Sequence, residues 1–143
     1  MDALLTAIVV WLSANFSIPP NFELPHIEYA PSAKMADIRS SHTHSAIELA
    51  QNTSDVVALY DDKRRTIILP EGWSGTTPAE LSVLVHEMVH HLPNVSGDEF
   101  ECVGAREKPA YLAQDKWLKQ FGRRLESEFR VDRFTIVARS ACM

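Results

Sequence analysis

Apolar residues are grouped along the chain into runs whose spacing predicts both helices and strands. The first run covers residues 3–16, between Asp2 and a Ser-Ile-Pro-Pro sequence at residues 17–20, which suit the start and the end of a helix. The run is shorter than the roughly 20 residues that a membrane-spanning helix needs, and no positive residue precedes it. We therefore predict a buried core helix. An exported protein is the alternative, because the run has the length of a signal-peptide apolar region.

Two runs in the middle of the chain, residues 56–60 and 65–69, contain β-branched residues, and the polar residues 61–64 separate them. This pattern predicts a β-hairpin. Residues 26–29 are a candidate third strand, and residues 33–40 are a candidate short helix. We therefore expect a small α+β domain, in which a short sheet packs against the N-terminal helix and against the helices that follow it.

A helix over residues 78–92 has clear signals at both ends. Thr77 is a typical N-cap, Pro78 suits the first helical position, and Glu80 completes a capping box. Pro93 disfavours helical geometry in the residue before it, which predicts the end of the helix. One broad face of this helix is apolar and carries Leu81, Leu84, Val85, Met88, Val89 and Leu92.

The other face of this helix carries Val83 and the motif HEMVH at residues 86–90, and we expect it to point away from the main core. At 3.6 residues per turn, His86 and His90 point the same way, so their imidazoles can share one tetrahedral Zn²⁺. Glu87 lies about 100° around the helix, where it can take the proton of a water that the metal activates. A solvent-exposed helix face that carries histidines by chance is the alternative.

Two histidines and a water leave one protein ligand to be supplied. A third histidine six residues after His90, as in metzincins, is excluded because Ser96 occupies that position and Pro93 replaces the expected glycine. Apolar spacing predicts a second helix over residues 104–121, with Glu107 near its start. A helix packed against the first one can deliver a carboxylate from the opposite side of the metal. We therefore favour Glu107 over its competitors Asp98, Glu99 and Glu101.

With these residues the chain resembles the gluzincin group of zinc metallopeptidases, in which a second helix after the HExxH helix bears a glutamate ligand. It is also similar to a family of small HExxH domains that have a Cys, a Glu and an Ala-Tyr pair downstream, here Cys102, Glu107, Ala110 and Tyr111. The resemblance covers residues 66–118. It implies a small zincin-like domain and a zinc-dependent hydrolase that cleaves peptide bonds.

The sequence departs from this resemblance at one position. Many gluzincins have an aspartate four residues after the ligand glutamate, where it orients a metal-binding histidine, but this chain has Tyr111 there. Tyr111 can orient a ligand or polarise a substrate carbonyl, and Asp115, one turn further along, is a second candidate to orient the histidine. Core packing of Tyr111 is the alternative, because aromatic residues at helical spacing are commonly buried.

The remaining histidines are expected to lie outside the site. His91 points roughly 100° away from His90, which favours a position at the cleft edge or on the surface. His42 and His44 could share a metal if their segment were extended, but a polar loop is favoured.

The chain has two cysteines, Cys102 and Cys142, and the sequence leaves open whether they pair. A bridge would stabilise the fold by roughly 4 kcal/mol and would tie the C-terminus beside the metal helix. Two reduced thiols are the alternative. By default we expect a cytoplasmic protein, where thiols stay reduced, and an exported or periplasmic protein if the bridge forms.

Length and charge fit one domain over residues 1–143 that buries about two thirds of its unfolded surface. The net charge of −5 and the lack of a basic stripe argue against a nucleic-acid partner, and no stable membrane span is predicted. In zincins an edge strand above the metal often holds the substrate backbone, so the resemblance implies a peptide or protein substrate, bound along the edge of the hairpin and cleaved with Glu87 as general base. A catalytically inactive, zincin-derived binding module is the alternative, because few residues remain to shape subsites. A further alternative is an enzyme that cleaves a non-peptide amide.

Overall fold

The N-terminal apolar run forms helix α1 (Asp2–Phe16) in a computed structural model, which describes residues 1–42 and 58–142. Ser17, in the left-handed conformation with φ 54°, ends the helix. One face of α1 enters the main core, so the prediction of a buried core helix is confirmed by Leu5, Ile8, Val9 and Leu12. Among the described residues, no helix has the length and apolar character needed to cross a membrane.

A mixed sheet of three strands follows, in the order β1-β3-β2, with bounds β1 (His26–Ala30), β2 (Leu59–Asp61) and β3 (Thr66–Pro70). Strands β2 and β3 are antiparallel, with Tyr60 opposite Ile67, which confirms the predicted hairpin. The third predicted strand is also present, and it runs parallel to β3 with Ile27 opposite Ile67. The central strand β3 is buried from residue 66 to residue 69, as expected where both neighbouring strands and the helices cover it.

The hairpin strands end one residue later than predicted. The carboxylate of Asp61 accepts the N–H groups of Lys63 and Arg64, both at 3.1 Å, so the turn begins after this residue and not at it. Strand β2 starts at Leu59, and residues 56–57 of the predicted strand lie outside the described residues.

Helix α2 (Ser32–His42) confirms the predicted short helix and extends it at both ends. The prediction of a polar loop is wrong at His42, which is the last residue of α2, and its part at His44 lies outside the described residues.

Helix α3 (Pro78–Ser96) begins as predicted. The hydroxyl of Thr77 accepts the N–H of Glu80 at 3.1 Å, and proline occupies the first helical position. Only half of the expected capping box forms, because the Glu80 carboxylate turns to the N–H groups of Ser74 and Gly75, at 2.6 and 2.9 Å. The loop before the helix is thereby tied to its first turn.

The predicted end of this helix at residue 92 is wrong, because α3 continues through Pro93 to Ser96. The side chain of Asn94 donates to the hydroxyl of Tyr60 at 2.9 Å and to a hairpin carbonyl at 2.9 Å, which holds the extra turn in place. Gly97, with φ 75°, then ends the helix in a Schellman-type cap, in which the N–H of Asp98 reaches the Pro93 carbonyl at 2.9 Å. Tertiary bonds thus outweigh the local preference of proline.

The expectation that the motif face of α3 points away from the core is also wrong. All residues from Ser82 to Leu92 are buried, and Val83 belongs to the main core together with the apolar face. The cause is helix α4 (Glu107–Lys119), which packs along α3 and covers the face that carries the histidines.

The second predicted helix is confirmed, as a 3₁₀ turn (Gly104–Arg106) followed by α4. Two further helices, α5 (Leu125–Phe129) and α6 (Arg133–Ser140), were not predicted, and both pack back onto α4. They build a second small core from Tyr111, Leu118, Leu125 and Val131. The fold is a small α+β domain, as predicted. One domain over residues 1–143 stays a prediction.

Candidate metal centre

The two histidines of the motif lie one turn apart on α3, with ring centroids 5.1 Å apart. Helix α4 brings Glu107 against them: its Oε2 is 3.0 Å from Nε2 of His86, and its Oε1 is 3.2 Å from Nε2 of His90. One ligand atom from each residue lies within 4.8 Å of the others. The structure therefore brings together the three residues favoured as ligands. Their competitors are exposed and do not belong to this group: Asp98, Glu99 and Glu101.

A chain of hydrogen bonds orients the ring of His86. The hydroxyl of Ser82 donates to the Ala79 carbonyl at 2.7 Å, so it accepts from Nε2 of Gln114 at 3.2 Å. This direction turns the amide oxygen of Gln114 toward the imidazole, whose Nδ1–H donates to it at 2.9 Å. Nε2 of His86 is consequently the atom that faces Glu107.

The contact between His86 and Glu107 requires a positive charge. In a neutral imidazole with its proton on Nδ1, Nε2 is an acceptor, and both carboxylate oxygens are acceptors as well. Their approach to 3.0 Å is favourable only with a proton or a metal cation between them. Two imidazole nitrogens and one carboxylate oxygen form a donor set that zinc accepts, with a fourth position left for another ligand.

The pKa shifts point to the same conclusion. Burial lowers the pKa of His86, but the hydrogen bond to Glu107 and the charges of Glu107 and Glu87 outweigh it and raise the pKa above its usual value. Burial raises the pKa of Glu107, but the charge of His90 and the bonds from both histidines hold that pKa well below its usual range. Without a metal, the cluster therefore keeps its carboxylate ionised and favours a proton at the place where a cation fits.

The motif glutamate, Glu87, is buried at 7% exposure beside this cluster. Burial raises its pKa above the usual value, and the charges of His86 and His90 offset part of that shift. A carboxylate with a raised pKa is suited to accept a proton and to give it back.

Tyr111 lies one turn after Glu107 on α4 and is 8% exposed. Its ring meets the ring of His86 edge to face, with centroids 4.7 Å apart, and its hydroxyl accepts a hydrogen bond from Arg139 at 2.7 Å. Tyr111 therefore packs in the second core, as the alternative had it, and its ring also contacts the candidate ligand His86. A role of Tyr111 toward a substrate carbonyl stays a prediction.

The expectation that Asp115 orients a metal histidine is wrong. Its carboxylate accepts the N–H of Leu125 at 2.9 Å and pairs with Lys119 at 2.9 Å, which joins α4 to α5. Gln114 contacts His86 instead, and sequence reasoning missed it. The available signal was its spacing: Gln114 lies seven residues after Glu107, hence two turns along the same helix face.

His91 is fully buried, so the prediction of a surface or cleft-edge position is wrong. Its Nε2–H donates to the carbonyl of Glu23 at 2.5 Å, and its Nδ1 accepts from the hydroxyl of Tyr60 at 2.8 Å. Burial lowers the pKa of His91 and raises the pKa of Tyr60 to about 12. This histidine is neutral, bonded at both nitrogens, and joins α3 to the hairpin and to the segment before β1.

A cleft of about 370 Å³ opens beside the cluster. Its walls come from His90 and Asn94 of α3, from Asp62 and Arg106, and from the loop that holds Asp98, Glu99, Phe100, Cys102 and Val103. Arg106 is fixed by Asp62 through two hydrogen bonds, of 2.5 and 2.7 Å. The buried Nδ1 of His90 has no hydrogen-bond partner among the described residues.

Cys102 and Cys142 form a disulfide that joins positions 40 residues apart. Of the two alternatives left open by the sequence, the bridge is therefore the correct one. The bridge connects the chain just before the Glu107 helix to the residues that follow α6.

Comparison with known proteins gives a family and no function. The family model described as a domain of unknown function, DUF6647, matches residues 1–143. No curated protein and no solved structure matches the chain. The resemblance to gluzincins therefore stays a prediction that depends on the residues of the site.

Proposed function

The chain belongs to the DUF6647 family, and from the geometry of its buried cluster we propose that it is a zinc-dependent hydrolase, specifically a metallopeptidase. One observation carries the proposal: Nε2 of His86 and Nε2 of His90 face the two carboxylate oxygens of Glu107, within a group of ligand atoms spanning 4.8 Å. Hydrogen-bond direction adds to it, because Gln114 leaves the lone pair of His86 pointing into this group.

The residues present fit zinc by three criteria. Their donor atoms are those of the two-histidine, one-glutamate catalytic sites, and they leave a further position open. All three are largely withdrawn from water, which strengthens electrostatic interactions with a cation. A neighbouring residue also orients His86 through its second nitrogen, as is usual for metal-binding histidines.

Zinc bound there would lower the pKa of a water to about 7 and polarise a carbonyl group. Glu87 accepts the proton of the attacking water and passes it to the leaving amine. Its raised pKa matches this task, because a carboxylate of ordinary pKa returns a proton less readily near neutral pH. His86, His90 and Glu107 would hold the metal.

A peptide is the substrate class that the surroundings favour. Strand β2 is outermost in the sheet of the described residues and packs against α3, and an extended peptide that paired with this strand would lie beside the motif helix. The cleft beside His90 offers room for a side chain next to the scissile bond. Because the disulfide Cys102–Cys142 persists only where thiols are oxidised, we also propose an exported or periplasmic location in place of the cytoplasmic default.

Zinc stoichiometry of the purified protein is the first test. We expect about one zinc per chain, lost in His90→Ala and reduced in Glu107→Ala. His26→Ala is the matched control, because this histidine is exposed on β1 and away from the cluster. Failure of the wild-type protein to take up added zinc would refute the proposal.

Turnover is the second test, with a library of quenched peptides as substrate. Glu87→Gln should keep zinc and lose cleavage, and Glu126→Gln, an exposed glutamate on α5, should keep both. Cleavage should stop with a chelator and return with zinc. A zinc-loaded protein that cleaves no peptide and instead retains one unchanged would identify the inactive binding module.

A further inference from the structure

The C-terminal segment, defined as residues 133–142, contacts the supports of the candidate metal centre at two separate points. The first lies just before α4, the helix that carries Glu107. The disulfide ties Cys142 to Cys102, and α6 packs against the 3₁₀ turn that ends at Arg106. This contact is tight: a Cβ placed on Gly104 would lie 2.7 Å from the carbonyl oxygen of Ala141, so only glycine allows the two backbones to approach. The residue that follows this turn is the proposed ligand Glu107.

The second contact point is Tyr111, one turn after Glu107 on α4. Arg139 donates from Nη1 to the hydroxyl of Tyr111 at 2.7 Å, and its guanidinium carbon lies 5.9 Å from the centre of the tyrosine ring. That ring meets His86 edge to face at 4.7 Å. The ring of His86 is therefore held by Gln114 at its Nδ1 and by the packed ring of Tyr111.

We propose that the C-terminal segment is a positioning element of the metal centre, in which Arg139 acts through Tyr111 on His86 and the disulfide keeps the segment docked. The proposal rests on the proposed function, because it requires that the cluster bind zinc. Ligands must be held within about 0.5 Å of their productive geometry, and neighbours that lock their rotamers provide that precision. Arg139 is a positioning residue, since it touches neither the metal ligands nor the cleft.

A redox dependence follows from the same contacts. A dithiol reductant delivers two electrons and two protons to the Cys102–Cys142 bond, giving two thiols, and is itself oxidised to a disulfide. The segment is then held by non-covalent contacts alone, with Arg139 and the 3₁₀ turn free to separate from their partners. The affinity of the centre for zinc therefore falls when the disulfide is reduced.

The test measures zinc affinity of the full chain by competition with a chromophoric chelator. We expect Arg139→Met to weaken binding about tenfold, the lower end of what outer residues contribute, and Arg139→Lys to recover most of the loss. Arg133→Met is the matched control, because this exposed arginine lies on the same helix, and its affinity should equal that of wild type. If Arg139→Met does not fold, Tyr111→Phe replaces it, because this change removes the hydroxyl that Arg139 bonds and keeps the ring. Its zinc affinity should fall in the same way.

Two further readouts separate positioning from general stability. The visible spectrum of the Co²⁺-loaded protein should change in Arg139→Met and return in Arg139→Lys, because it reports ligand geometry. In a Cys102→Ser, Cys142→Ser background, zinc affinity should already be lower, and Arg139→Met should add less than it does in wild type. If Arg139→Met weakens zinc binding equally in both backgrounds, or if all variants bind zinc equally, the positioning role is overturned and the proposed function stands. A wild-type protein that binds no zinc would overturn the proposed function and this proposal together.

Discussion

Replacing Gln114 with leucine tests the hydrogen-bond relay that orients His86. Leucine has a similar size but offers neither an acceptor to the imidazole Nδ1–H nor a donor to Ser82. The side chain of His86 is only 10% exposed, so water replaces the lost acceptor poorly. The ring then loses the bond that keeps its proton on Nδ1 and its Nε2 lone pair toward Glu107.

The expected loss is set by the role of such partners in metal sites. Removing the hydrogen-bond partner of a metal-binding histidine typically weakens metal affinity about 10- to 100-fold, which corresponds to about 1.4–2.7 kcal/mol. An unsatisfied buried donor costs about 1–3 kcal/mol, which is the same range. We therefore expect the zinc dissociation constant of Gln114→Leu to rise by about 10- to 100-fold.

Chelator competition near neutral pH measures this change directly. Gln114→Glu is the informative companion, because a carboxylate still accepts the Nδ1–H and should retain binding. Gln120→Leu is the control, since Gln120 is exposed beyond the end of α4. Zinc binding by Gln114→Leu within about twofold of wild type would refute the role of this hydrogen bond, and so would an equal loss in Gln120→Leu.

Three further predictions concern stability of the metal-free protein, measured by urea denaturation. Tyr60→Phe should lower the free energy of unfolding by about 1–3 kcal/mol, because it leaves the buried Nδ1 of His91 without its donor; no loss would contradict that bond. The pKa of His91 is lowered in the folded state, so its contribution to the free energy of unfolding is present above pH about 6.5 and is lost as pH falls below it. Between pH 7.5 and 5.5, wild type should therefore lose more free energy of unfolding than His91→Met. Equal losses would refute this assignment. Leu84→Ala, at a fully buried position, should cost about 2–5 kcal/mol, and a loss under about 1 kcal/mol would show that the core is not packed there.

Local sequence signals were sufficient where neighbouring residues alone determine the structure. The start of α3 depends on Thr77 and Pro78, which cap it within one turn, and the hairpin depends on a polar turn between two apolar runs. These two features need no knowledge of distant contacts. The choice of Glu107 needed one further assumption, that the next helix packs against the motif helix, and the structure has that contact.

Several errors arose where distant parts of the chain decide the outcome. Pro93 stays inside α3 because Asn94 is bonded to the hairpin, more than thirty residues earlier in the chain. The carboxylate of Asp115 bonds to the first residue of α5, a helix that was not predicted from the sequence. The pairing of Cys102 with Cys142 depends on how α6 folds back on α4, which no local pattern fixes.

The three histidines of α3 show what such contacts add to a motif. Both ring nitrogens of His91 form hydrogen bonds within the protein, one to a carbonyl that accepts and one from a hydroxyl that donates. No lone pair therefore remains for a metal. In His86 only Nδ1 bonds a neutral group, and its Nε2 faces the Glu107 carboxylate, as does Nε2 of His90. The helix is buried all round, so spacing and exposure do not separate a structural histidine from a candidate ligand. The difference is whether each ring nitrogen already bonds a neutral protein group. By that criterion only His86 and His90, among the histidines of α3, have a nitrogen available to a cation.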